Sequence, residues 1–313
     1  MAETKKTIRV YKEICVTDIN RIINQKQRAM KNLMSSLLII AMMNLTFMSC
    51  ETKEKEENTP PELPPYESMA IDFDQFTVKD EVAGLAMKST DEGTMNNWEF
   101  ASGQVGFWNL LLTVTLAVPV SSFYHSFAHT PVYLGDATWQ WTYEVTGFTS
   151  TYIARLVGTV RSEDVKWEMY ITKDGIEGYP EFLWYEGVSD LDGNGGQWTL
   201  YHSYEFQEEV LVIDWERSGE EVAGIRYSFV RELNDNRETE PFNGSYLEAG
   251  LLEDDLNAYY NIHFYEGIFI KDFVDVMIEW STSEYNGRVK AEYKFGDADW
   301  HCWDGYGYDT ECN

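Results

Sequence analysis

Between Thr138 and Phe295 the chain repeats one pattern: short runs of alternating apolar and polar residues, separated by turn signals such as Asp-Gly, Asn-Gly and Ser-Gly. A period of two puts successive side chains on opposite faces of a strand, so each run reads as a half-buried β-strand. The runs include Trp139–Val145, Tyr152–Arg161, Val165–Lys173, Val210–Arg217 and Val274–Ser281, and the last is Arg288–Phe295. About ten such strands with short connections predict sequential antiparallel hairpins. The expected fold is α+β and β-dominated: an antiparallel β-meander, half-barrel or barrel-like, curved around a buried apolar helix.

That helix is read from the opposite kind of sequence. Residues 101–135 contain no Asp, Glu, Lys or Arg in a chain that is 25% charged, and Val105–Val118 is apolar on nearly every face. A helix hydrophobic all round is expected to be buried, and Pro119 to kink or end it, with a second short helix around Val120–Ala128. Phe107, Trp108, Leu111 and Leu112, with Trp139 and Trp141 from the first strand, are candidates to line an apolar ligand cavity between helix and sheet. They serve equally as a packed core, and a membrane-contacting segment is the third reading.

The front of the chain carries a different signal. Lys31 precedes an uncharged apolar run from Leu33 to Met48, too short for a comfortable span, and Ser49 stands before Cys50. Residues 30–49 therefore read as a lipoprotein signal and Cys50 as the lipidated residue; Phe47 and Met48 depart from the common lipobox. Met30 is the better start, leaving 1–29 as an over-called start or a leader. Residues 50–66 then form the lipidated cysteine and an acidic, proline-containing tether, extended and solvated to about Pro65, and 67–313 a single β-rich domain. Lys55-Glu56-Glu57 resembles the export tag of Bacteroidetes surface lipoproteins. The expected location is the outer membrane, lipid-anchored, with the cell surface favoured over the periplasmic face.

Charge narrows the partners. Residues 1–50 hold eight Lys/Arg and three Asp/Glu, so 16 basic and 50 acidic residues remain beyond them, a net charge of −34. Such a surface repels phosphate backbones and excludes nucleic acid as a partner. With the signal removed and Cys50 acylated, Cys302 and Cys312 are left as an even pair, which an oxidising compartment joins in a disulfide.

Motifs for chemistry are sparse. Asp190-Leu-Asp192-Gly-Asn194-Gly195 matches the first half of a calcium loop, but position twelve is Tyr201 and strands flank it, so a glycine-rich turn competes with a Ca²⁺ site. Acids beside tryptophan (Trp167-Glu168, Asp214-Trp215-Glu216, Glu279-Trp280) allow a glycan-active reading that needs a close acid pair beside exposed rings. His125 and His129 stand four apart without the Glu of a zinc-protease helix. Nucleophile elbows, phosphate loops and dinucleotide fingerprints are absent, and no catalytic residue is assigned. Val212–Ser218 with Ile225–Phe229 echoes Met277–Ser283 with Val289–Phe295, two hairpins opening on Ile-acid-Trp.

Together the lipobox, Trp108-Asn-Leu-Leu-Leu112, Trp139-Gln-Trp141, Trp167-Glu-Met-Tyr170 and Trp300-His-Cys-Trp-Asp304 resemble uncharacterised Bacteroidetes outer-membrane and surface lipoproteins. The resemblance covers most of residues 100–313 and implies location and compactness. The expected function is a lipid-anchored, non-enzymatic extracytoplasmic binding protein holding a hydrophobic small molecule. The alternatives are a glycan-binding or glycan-active surface protein and a structural envelope lipoprotein.

Overall fold

The computed structural model describes residues 59–70, 76, 93–146, 150–175, 177–219 and 221–312. The expected leader, the signal 30–49, the lipidation site Cys50 and the acidic start of the tether lie outside the described residues. Residues 58–313 form one compact unit.

Among the described residues fourteen strands form one open antiparallel meander in strict sequence order. They are β1 (Val132–Gly135), β2 (Thr138–Thr146), β3 (Thr151–Val160), β4 (Asp164–Asp174), β5 (Tyr179–Asp190), β6 (Gly195–Tyr201) and β7 (Glu209–Ser218). The second half comprises β8 (Glu221–Phe229), β9 (Tyr246–Leu251), β10 (Ala258–Glu266), β11 (Asp272–Trp280), β12 (Gly287–Lys290), β13 (His301–Trp303) and β14 (Asp309–Thr310). The expected β-dominated meander is the observed fold. Four strands were not foreseen. β1, β13 and β14 are two to four residues long, and β9 includes Glu248, Ala249 and Gly250, a composition poor in strand formers. The run expected as a strand over Arg288–Phe295 stops at Lys290, and Glu292–Phe295 make a helical turn closed by Gly296 in the left-handed region.

Alternation does the sorting that period two predicts. In β4, Val165, Trp167, Met169 and Ile171 point into the core, and in β11 Val274, Val276, Ile278 and Trp280 do the same. The two echoing hairpins share a further feature. Ile213-Asp214-Trp215 faces Tyr227-Arg226-Ile225 across β7 and β8, and Ile278-Glu279-Trp280 faces Val289-Arg288-Gly287 across β11 and β12. Each places an acid opposite an arginine on the outer face.

A second device seats the tryptophans. Gly158 is registered opposite Trp167, Gly187 opposite Trp198, Gly196 opposite Trp215 and Gly287 opposite Trp303. In each pair a β-carbon added to the glycine would run into the opposing indole. Each indole therefore lies flat over its neighbour's bare backbone. Turn signals do not reveal these glycines, because they sit inside strands rather than between them.

One long helix, α1 (Asn96–Ser126), fills part of the sheet's inner face. It packs on β2 and β3 near one end of the meander and on β12, β13 and β14 at the other, so the sheet curves around it. Pro119 neither ends nor splits it, contrary to expectation. The proline itself is buried, between Leu116 and Phe123, which are buried too, and Ser122 Oγ donates to the Pro119 carbonyl at 2.8 Å. Packing thus outweighs the intrinsic helix penalty of about 3 kcal/mol for an interior proline. The tether also ends differently from its expected solvated form. Pro64 is buried, Leu63 packs on the core, and Ser68 and Met69 are buried. Trp198 Nε1 donates to Ser68 Oγ at 3.0 Å, and the Tyr227 hydroxyl donates to the Met69 carbonyl at 3.3 Å. Proline rings and leucine are apolar, and a sheet with an unfilled inner face gives them somewhere to bury.

Cys302 and Cys312 form the expected disulfide. It staples β13 to β14, and β14 in turn caps α1. Met95, at the helix start, makes no side-chain cap; instead Asp309 accepts the backbone N–H groups of Asn96 at 3.2 Å and Asn97 at 2.9 Å, and the Thr94 hydroxyl. Asn97 Nδ2 also donates to the Cys302 carbonyl at 2.9 Å. Partial burial raises the Asp309 carboxyl, but the bonds from Thr94, Asn97 and Asn96 outweigh it and hold the group below its ordinary range. A carboxylate on the first helical N–H groups also meets the positive end of the helix dipole. Asp309→Ala is expected to cost about 1 kcal/mol in urea unfolding at pH 7. Because the folded pKa is depressed, that contribution is complete above the unfolded value of about 4. It is lost as pH falls through the lower folded value, so mutant and parent converge in acid.

Candidate functional site

Of the six residues expected to line a cavity, none lines either of the two clefts found among the described residues. Trp108, Leu112, Trp139 and Trp141 are buried in the packed core, and Leu111 is half-buried. Trp108 meets the rings of Phe229 at 5.7 Å and Phe264 at 6.3 Å, and Trp141 meets Trp167 at 5.9 Å. The concave face is thus closed by aromatic side chains, α1 and the segment around Met69. Among the described residues the expected cavity-lining side chains Trp108, Leu112, Trp139 and Trp141 serve as packed core, the competing reading, with their indoles interlocked.

Phe107 is the exception, and it leads to the most unusual surface of the molecule. The buried face of α1 is a single stripe: Ala101, Val105, Trp108, Leu112, Leu116, Pro119, Phe123. Spacings of three and four residues define one side of a helix. The opposite side faces solvent, yet Phe107 is 56% exposed, Leu110 49% and Val114 71%. The only Asp, Glu, Lys or Arg in the helix is Glu99, in its first turn. A surface helix ordinarily turns charge outward; this one does not. The expectation of burial on every side is corrected: one stripe is buried, and an apolar stripe remains open. α1 is also long and apolar enough to cross a membrane by length and composition, though a core helix meets the same criterion. Beyond its end, Phe127 and the β1 residues Val132 and Leu134 are exposed as well. On the buried stripe, Trp108 Nε1 has no hydrogen-bond acceptor among the described residues.

The Asp190 loop is a hairpin turn between β5 and β6. Asp192 accepts the Asn194 backbone N–H at 3.2 Å and its side-chain amide at 2.8 Å, and Gly193 N–H donates to the Asp190 carbonyl at 3.0 Å. Arg217 Nη1 donates to the Gly193 carbonyl at 3.4 Å. Among the described residues no three His, Cys, Asp or Glu side chains are grouped to hold a metal ion. Asp190, Asp192 and Asn194 thus form the glycine-rich turn that competes with the Ca²⁺ reading, with Asp192 and Asn194 bonded to each other. Beside it lies a cleft of about 200 Å³, lined by Pro61–Pro65, Val160, Val165, Asp190–Gly193 and Arg217.

Alternation also undoes the acid–tryptophan constellation. Trp167, Trp215 and Trp280 point into the core, so Glu168, Asp214, Glu216 and Glu279 stand on the outer face. There Glu168 pairs with Lys166, Asp214 accepts from Gln197 at 2.6 Å and Glu279 accepts from Arg288 at 2.7 Å. The rings beside these acids on the outer face are other ones: the Tyr170 hydroxyl donates to Glu168 at 3.3 Å, and Tyr259 lines a shallow pocket with Asp214 and Glu216. His125 and His129 join through a ring nitrogen and a carbonyl, with His129 stacked on Tyr143 at 4.8 Å. Burial, then the neighbouring His129, lowers the His125 pKa. In the C-terminal cluster, Trp303 alone of the two tryptophans is buried, donating to the Tyr285 carbonyl at 3.0 Å, while Trp300 lies under the Arg288 guanidinium on the outside.

No family model, curated protein or solved structure matches the chain.

Proposed function

We propose that the protein is a lipid-anchored, non-enzymatic extracytoplasmic binding protein, held in the outer membrane through Cys50 with its domain toward the cell surface. Its ligand is hydrophobic, and the contact is the open stripe of α1 rather than an internal cavity. The observation that carries this reading is the exposure of Phe107, Leu110 and Val114 on a helix whose single charged residue is Glu99. Leaving such a stripe in water forgoes the roughly 25 cal/mol per Å² that its burial would return. An acyl chain lying along the helix would cover it.

Native mass spectrometry of the full chain, purified from its own host, tests this. A retained lipid is expected, together with acylation of the peptide that begins at Cys50. Val114→Glu changes an exposed side chain and leaves the fold intact, so it is expected to strip the bound lipid without altering the melting temperature. A protein that carries no lipid, or that carries the same lipid in both forms, overturns the helix-stripe reading. The packed concave face favours a second reading, a structural envelope lipoprotein, which an empty but acylated chain would support.

A further inference from the structure

The two most exposed large apolar side chains among the described residues are not on the helix. They sit in the short connection Gly267–Lys271 between β10 and β11, where Ile268 is 74% exposed, Phe269 88% and Ile270 41%. The connection is ordered by one residue. Glu266 Oε1 accepts the N–H of Ile268 at 3.2 Å, and Oε2 accepts those of Phe269 at 2.8 Å and Ile270 at 2.7 Å. The Glu266 carbonyl accepts the N–H of Lys271 at 2.6 Å, and Lys271 takes the left-handed backbone conformation that closes the turn.

We propose that Ile268-Phe269-Ile270 is a bilayer-insertion loop. A loop in water has no need of dedicated acceptors for its amides, because water supplies them. In hydrocarbon each unmade hydrogen bond is costly, so backbone that enters a membrane must satisfy its donors internally. Four consecutive N–H groups here are satisfied by Glu266, and the three side chains this frees outward are an isoleucine, a phenylalanine and an isoleucine. Glu266, Lys271 and Asp272 stand at the base of the loop, where head groups would meet them. Three apolar side chains suit shallow entry, about 5–10 Å into the boundary of head groups and acyl chains. Because the chain beyond residue 50 is strongly acidic, the lipid is one with a neutral head group rather than an anionic one.

Chain length is consistent with a shared bilayer. In a meander alternate connections lie at opposite rims, so this loop is at the rim opposite the β5–β6 turn, against which Pro61–Pro65 lie. Cys50 precedes Pro61 by eleven residues, a reach of at most about 40 Å. A nine-residue strand such as β10 is about 30 Å long, so the tether can span the sheet.

The proposal shares with the functional reading above only the premise of a nearby membrane; its test removes the acyl chain while the apolar run Leu33–Met48 stays, so the loop's share is read from Phe269→Asp in the same background. The full chain carrying Cys50→Ala is mixed with phosphatidylcholine vesicles and floated on a density gradient. It is expected to float with the vesicles, and hydrogen exchange in residues 266–273 is expected to slow when they are present. Phe269→Asp in the same background is expected to lower the partition coefficient about tenfold or more at an unchanged melting temperature. Glu266→Ala keeps every apolar side chain but frees the amides, and is expected to weaken flotation as well. A Cys50→Ala chain that stays in the vesicle-free fraction overturns the proposal, as it would if the loop contacted a protein instead. Equal flotation of the Phe269→Asp form overturns it too. Failure of Cys50 to be acylated in the host leaves this result untouched.

Discussion

Gly187→Val is expected to abolish the folded state, leaving a chain without a cooperative urea transition. Gly187 lies in β5, opposite Trp198, and a β-carbon there would collide with both the Gln197 carbonyl oxygen and the Trp198 ring. The oxygen is backbone in a paired strand, and the indole is packed on every side, so neither can step aside. Overpacking a core costs about 1–3 kcal/mol where neighbours can shift, and more where they cannot. Valine's favourable strand propensity does not help, since the limit is space. Gly103→Ala is the control. Nothing lies within 4 Å of a β-carbon at that position on α1, and the exposed helix gains up to about 1 kcal/mol from the exchange. If Gly187→Val unfolds at the same urea concentration as the parent, the flat seating of indoles over glycine is wrong.

Trp198→Ala is expected to lower stability by about 3–5 kcal/mol, a large part of the roughly 5–15 kcal/mol that holds a typical protein folded. The indole is 1% exposed and touches Phe123 of α1 at 5.2 Å and Tyr185 of β5 at 5.7 Å. It therefore joins three parts of the core: the helix, the sheet and, through its N–H to Ser68, the segment that follows the proline run. Alanine leaves a cavity among all three and strands the Ser68 hydroxyl, whose lost bond adds about 1–3 kcal/mol if it remains buried. Trp198→Phe separates the two contributions, keeping most of the ring contact while losing the hydrogen bond. Urea unfolding followed by far-ultraviolet circular dichroism gives both values. A loss below about 1 kcal/mol for alanine would mean that the segment around Ser68 is not part of the core.

The fold was legible where local physics decides. Period-two alternation from Trp139 onward placed most of the strands and their order, because in hairpins chain neighbours are sheet neighbours. β1, β13 and β14 were illegible for the converse reason: strands of two to four residues carry too little alternation to stand out, and pairing with an existing edge creates them. The candidate site was half legible. Composition marks residues 101–135 as uncharged, but how much of an apolar helix the core covers depends on the surface it meets. The inner face of the sheet takes Val105, Trp108 and Leu112 and leaves Phe107, Leu110 and Val114 outside. The Ile268–Ile270 loop gave no separate signal, since three apolar residues near a strand end read as part of a strand; its meaning rests on the carboxylate of Glu266, which the turn brings back onto its amides.

What the sequence by itself determined is therefore the meander, the apolar helix and the pairing of Cys302 with Cys312. Each follows from interactions between residues close along the chain, the two cysteines standing ten apart. The tertiary structure alone decided that the concave face is filled, that α1 keeps an open apolar stripe, and that Asp309 caps a helix 213 residues before it. Those outcomes depend on which distant surfaces meet and how much volume lies between them. Neither quantity is written in any local pattern.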